Sequence, residues 1–155
     1  MRRLCYSFFY YVLFLSSSHC ANAQNNVIDK QIIEMLTIFY TAHNSAWINT
    51  EDNFVLVKKL DSLQKKYCSL RFQKVIKKEF KLGGLDHDLL TNDEGADANF
   101  FKTLKVEKDK VNQNVYSVSY TYHTKDPSYR PIDKKVILHV TVVKEGDSYK
   151  IDSVR

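Results

Sequence analysis

Two hydrophobic periods run along this chain, one after the other. In residues 27–47 the apolar positions Ile28, Ile32, Met35, Leu36, Phe39, Ala42 and Ala46 recur every three to four residues, with His43 on the same stripe. Tyr40 and Trp47 flank it. That spacing predicts an amphipathic helix. Asn49-Thr50-Glu51-Asp52-Asn53 interrupts the pattern and offers side-chain oxygens for a helix N-terminus. Phe54, Val57, Leu60, Leu63 and Tyr67 then predict a second helix, and Ser69 can cap a third with Phe72, Val75, Ile76 and Phe80 turned inward. Gly83-Gly84 is the chemistry of a helix stop.

After an Asp-, Asn- and Gly-rich stretch, Leu85 to Asn99, the period becomes two. Phe100, Leu104 and Val106 predict a first strand, with Lys102 out of pattern. Past the turn at Asn112-Gln113-Asn114, Tyr116, Val118, Tyr120 and Tyr122 share one face, and Ser117, Ser119 and Thr121 the other. Lys125-Asp126-Pro127-Ser128 starts a connection to a third strand, Val136, Leu138, Val140 and Val142. Glu145-Gly146-Asp147-Ser148 is a tight turn into the last strand, with Tyr149, Ile151 and Ser153. Helices first and hairpin-linked strands after give an α+β class: N-terminal helices packed on a curved four-stranded antiparallel sheet. A sheet curved around the first helix would leave a pocket between them.

The N-terminus changes the picture of where such a domain works. Arg2-Arg3, the apolar run Leu4 to Leu15 and Ala21-Asn22-Ala23 have the order of a secretory signal and its cleavage site. We expect residues 1–23 to be a signal peptide and residues 24–155 a single domain, periplasmic or secreted. Cys20 leaves lipid anchoring as the alternative, although Ser17-Ser18-His19 is a poor approach to an acylated cysteine. No apolar run after residue 23 approaches the length of a transmembrane segment. Cleavage would leave 132 residues and lower the net charge from +5 to +3. That is enough chain for a core and too little charge to argue for a nucleic-acid partner. Only Cys68 would remain, which excludes an internal disulfide. The charge is unevenly spread: residues 48–82 hold nine Lys and Arg against four acids, and residues 83–97 hold five acids and no base.

This layout resembles a family of exported bacterial domains of unknown function with the cystatin-like, or nuclear-transport-factor-like, fold. The resemblance is carried by the Ile32–Trp47 helix, Lys66-Tyr67-Cys68-Ser69, the loop from Leu85 to Asp93 and the strand Val115 to Tyr122. The family's loop usually has a proline and a Gln-Asp pair, where His87 and Asn92-Asp93 stand here. The resemblance implies fold and export and leaves the chemistry open, because one fold hosts many functions.

No catalytic, cofactor or metal motif stands out. Asp86, His87, Asp88 and Asp93 make the densest polar cluster. They fail the calcium-loop template, with Leu90 at the fifth position and Thr91 in place of the glycine. The readings left for this loop are an Asx-rich structural turn, a partner contact or a cation site. Tyr40, His43 and Trp47 are candidate pocket residues, and Tyr120 and Tyr122 candidate contacts of a tyrosine-rich face. Cys68 reads as a buried, inert thiol. His139 reads as a half-buried core residue. The leading expectation is a non-enzymatic protein-binding domain that contacts another envelope protein, such as an immunity-type inhibitor of a periplasmic toxin. A homodimer through the sheet is open. The alternatives are a small-ligand binder with its pocket between first helix and sheet, and an enzyme using Asp86 or His87 of the acidic loop.

Overall fold

The computed structural model describes residues 4–84, 88–92, 95 and 97–155, with 4–25 as backbone only. Helix α1 runs Leu4–Asn49, α2 Asn53–Tyr67 and α3 Leu70–Gly83. A short α4, Phe100–Thr103, precedes strands β1 (Lys105–Lys108), β2 (Val115–Lys125), β3 (Pro131–Glu145) and β4 (Ser148–Val154). The strands form one antiparallel meander in the order β1-β2-β3-β4. The chain divides into Met1–Ile32 and Ile33–Arg155, and everything below concerns the second unit.

The expected strand faces are present. Tyr116 stands opposite Val140, Val118 opposite Leu138 and Tyr120 opposite Val136. All six are buried, together with Val142 and Ile151. This alternation places one face of the sheet in the core, where cross-strand pairs of aromatic and β-branched residues are the unit of stability. A register shift at Thr141/Val142 marks a β-bulge, a device that bends a strand. At the β3–β4 turn Gly146 has φ 62°, a conformation open to glycine at little cost.

The first strand is corrected at its start. Phe100 belongs to a helical turn, in which Leu104 N–H donates to Phe100 O at 2.9 Å and Thr103 Oγ1 to Asn99 O at 2.9 Å. The strand begins only at Lys105. A four-residue apolar spacing suits one helical turn as well as two strand repeats, and the out-of-pattern Lys102 was the sign of the former.

The helix caps fall where the sequence offered them. Asp52 Oδ1 accepts from Val55 N–H at 2.9 Å, and Ser69 Oγ from Phe72 N–H at 3.0 Å. Gly84 closes α3 with φ 66°, its N–H bonded to Phe80 O. The helical stripes are shifted in part. In α2 the buried residues are Leu56, Leu60 and Tyr67, while Phe54 is exposed. In α3 Phe72 and Ile76 are buried, while Val75 and Phe80 face outward. His139 is exposed rather than half-buried.

The junction between α2 and α3 is tied to the sheet. Cys68 forms a parallel bridge with Ile151, and Ser69 N–H donates to Ile151 O at 2.8 Å. Ser69 Oγ donates to Asp152 Oδ1 at 2.5 Å. Arg71 clamps the same carboxylate, Nε to Oδ1 at 3.1 Å and Nη2 to Oδ2 at 2.6 Å. Glu145 accepts from Leu70 N–H, placing another carboxylate at the positive end of α3.

Candidate functional site

The candidate residues of α1 separate by depth. Tyr40 and His43 are wholly buried. Tyr40 stacks edge-on against Phe39, with ring centroids 5.1 Å apart, and its hydroxyl donates to Leu90 O at 3.0 Å. That bond ties the α1 core to the acidic loop. Burial, then the nearby Asp88 carboxylate, pushes the Tyr40 hydroxyl well above its ordinary pKa, so it stays a protonated donor. His43 Nε2 lies 3.4 Å from Asp88 Oδ2 without the alignment of a hydrogen bond. Burial pulls its pKa below the usual histidine range, and Asp88 opposes this only in part.

Asp88 is the one member of the expected cluster whose surroundings are described. Its carboxylate accepts from Leu90 N–H at 3.0 Å and Thr91 Oγ1 at 3.1 Å. This is a local Asx-type turn. Asp97 is built the same way. Burial works to raise its pKa, but the N–H groups of His123 and Asn99 outweigh it and hold the carboxyl below its usual range. Asp86, His87 and Asp93 lie outside the described residues. Tyr120 is buried against Phe100, centroids 4.8 Å apart, and Tyr122 is half-buried beside it. Tyr122 also packs on the loop: a Cβ at Gly95 would lie 3.0 Å from its Cε2. The tyrosine ladder is therefore largely core packing.

Cys68 is buried, and desolvation pushes its thiol up to about 12. Lys150 pulls the other way but does not prevail. A buried thiol held protonated is a poor nucleophile at neutral pH.

A cleft of about 390 Å³ opens between α2, α3 and the start of the loop. Its apolar lining comes from Trp47, Val57, Leu60, Ile76, Phe80 and Leu89. Trp47 packs on the small core of Ala46, Leu56 and Leu60, and its indole Nε1–H is buried with no partner among the described residues. Lys58, Lys77 and Lys81 also line the cleft. The two lining acids are engaged. Asp61 pairs with Lys65 at 2.5 Å, and Asp88 holds its loop and faces His43. Of the three pocket residues proposed from sequence, only Trp47 reaches this cleft. The signal for it was an apolar stripe on α3, running to Phe80, longer than the core behind it uses.

No protein-family model matches the chain, and no curated protein does. Among solved structures it is similar to a protein of unknown function from Bacteroides thetaiotaomicron. Identity is 22%, 89% of this chain and 98% of that one are covered, and the TM-score is 0.72. The two share an α+β fold.

Proposed function

We propose that this chain is an exported binding domain whose cleft between α2 and α3 takes a small ligand with an apolar body. One observation carries the reading: a cleft of about 390 Å³ walled by Trp47, Leu60, Ile76 and Phe80. The volume falls within the range of about 300–1,000 Å³ typical of ligand sites, and so does an apolar lining with few polar groups. Export through residues 1–23 and the cystatin-like assignment belong to the same reading. They are supported by the signal-like order of Arg2-Arg3, Leu4–Leu15 and Ala21-Asn22-Ala23 and by helices preceding a four-stranded meander.

Trp47 is the single tryptophan of the chain, so its emission reports on the cleft. A small-molecule panel should contain compounds that shift Trp47 emission and raise the melting temperature together. A panel of neutral, anionic and cationic amphiphiles that moves neither would remove the proposal. Sequencing the N-terminus of protein recovered from the cell envelope tests export: Gln24 supports a cleaved signal, a lipid-modified Cys20 the anchored form, and an intact Met1 overturns it.

A protein partner is the second reading, favoured by Tyr129. This residue is 81% exposed at the β2–β3 turn and held at φ 60°, which is unusual for a bulky side chain. Asp126 fixes the turn by accepting from Ser128 N–H, Arg130 N–H and Arg130 Nε. An envelope protein captured by the wild type and lost in Tyr129→Ser would support it. Equal capture by both would refute a role for this turn.

A further inference from the structure

We propose that the ligand of the α2–α3 cleft is an amphipathic anion, a linear apolar chain ending in a carboxylate or similar head. This rests on the ligand-binding reading above and adds the chemistry of the ligand.

The argument begins with the charges that line the cleft. Three lysines, Lys58 from α2 and Lys77 and Lys81 from consecutive turns of α3, line it from two helices. The acids beside them are already committed. Asp61 is paired with Lys65, and Asp88 is held by Leu90 N–H and Thr91 while facing His43. Lys58 Nζ lies over the Phe54 ring at 4.1 Å, and among the described residues none of the three lining lysines is in an ion pair. Among the described residues, three lysines and two acids therefore line an apolar wall, a positive balance.

A plainer account is that Lys77 and Lys81 complement the negative C-terminal end of α3, which closes at Gly84 beside the cleft. That account covers α3 and leaves Lys58 unexplained, since Lys58 lies in the first half of α2. It also does not explain why Phe80 stays half-exposed between Ile76 and Gly84 instead of turning into the core. An amphipathic anion meets both features: its head answers the lysines, and its chain covers Phe80 and Leu89.

Size limits the chain. The cleft has room for about a dozen water-sized volumes, so a chain of roughly ten carbons fits and a two-chain lipid does not.

The test uses three probes with the same tail: decanoate, decanol and decyltrimethylammonium. Each is titrated below its aggregation concentration into the purified protein, followed by Trp47 emission and by calorimetry. Decanoate should bind about tenfold or more tightly than decanol, with the cation weakest. Raising the salt from about 0.01 M to about 1 M should erase most of that preference and leave decanol unchanged. The triple variant Lys58→Gln/Lys77→Gln/Lys81→Gln should bind decanoate no better than decanol. All three positions lie on helix surfaces, and its melting curve checks that it folds. Equal binding of decanoate and decanol by the wild type would overturn the anionic head while leaving the cleft as a binding site. Preference for the cation, or a decanoate preference that survives in the triple variant, would likewise overturn it. No binding of any probe would remove the cleft reading itself.

Discussion

At the scale of single residues, His43 and Cys68 have their chemistry set by burial. His43 sits inside the core with its pKa pulled down, so the folded protein resists taking up a proton that the unfolded chain accepts near pH 6.5. Below that value the unfolded state binds more protons, and stability falls as the pH drops toward the folded pKa. We expect the melting temperature to decrease from pH 7.5 to pH 5, and to decrease less in His43→Gln, as read by thermal unfolding across that range. Cys68, with its thiol at about 12, should be inert to a thiol reagent in the native protein and react fully after unfolding; rapid native labelling would show that the site opens. Tyr129 is held in a left-handed conformation that disfavours side chains by about 1–2 kcal/mol. Tyr129→Gly should therefore leave stability unchanged or raise it by up to about 1 kcal/mol in denaturant unfolding. These residues differed in how far the sequence revealed them. Cys68 was legible as inert because no base accompanied it. The left-handed Tyr129 was not, because its conformation is imposed by Asp126 and the hairpin around it.

At the scale of elements, the α2–α3 junction is the point where helices and sheet are joined by named bonds. Asp152 carries most of it. The Arg71 guanidinium, with help from Ser69, holds its carboxyl below the usual range. A depressed carboxylate pKa contributes stability above its unfolded value, about 3.9, that is lost as the pH falls through the folded value. Asp152→Asn should cost about 1–2 kcal/mol at pH 7, discounted for the exposed Arg71. The difference from wild type should shrink below about pH 4. A constant difference from pH 7 to pH 3 would show that packing, not charge, is responsible. The strands were read correctly because β2 and β3 have one face in the core and the other outside, which is the condition under which period two is unambiguous. The helices were read in place but partly out of phase. Phe54 and Leu56 both fit an apolar stripe, and only packing on Ala46 and Leu60 selects Leu56. Phe100 and Leu104 failed for a related reason, since their spacing serves a helical turn equally well.

At the scale of the folded unit Ile33–Arg155, the candidate site moved from where pattern alone had put it. Of the α1 residues expected at a pocket, Tyr40 is fully buried with its hydroxyl bonded to the loop, and Trp47 lines the cleft. The cleft described above opens between α2 and α3, with Trp47 in its wall. No periodicity in either helix reveals that, because a cleft is set by the distance between two helices and not by either one. Among the described residues no helix is long and apolar enough to cross a membrane.

The bridge from Cys68 to Ile151 has a consequence for self-association. An exposed strand margin is a template on which a second chain can add. On the β4 side the linker between two helices already occupies part of that margin, with Ser69 N–H bonded to Ile151 O. The opposite margin, β1, is only four residues long and bears Lys105, Glu107 and Lys108. Short length and charge are the features that discourage such addition. Fibril growth by strand stacking is thus opposed at both ends of the sheet. Cutting the Cys68–Ile151 pairing, for instance with Ser69→Pro, should make the protein prone to form thioflavin-positive aggregates at concentrations where the wild type stays clear.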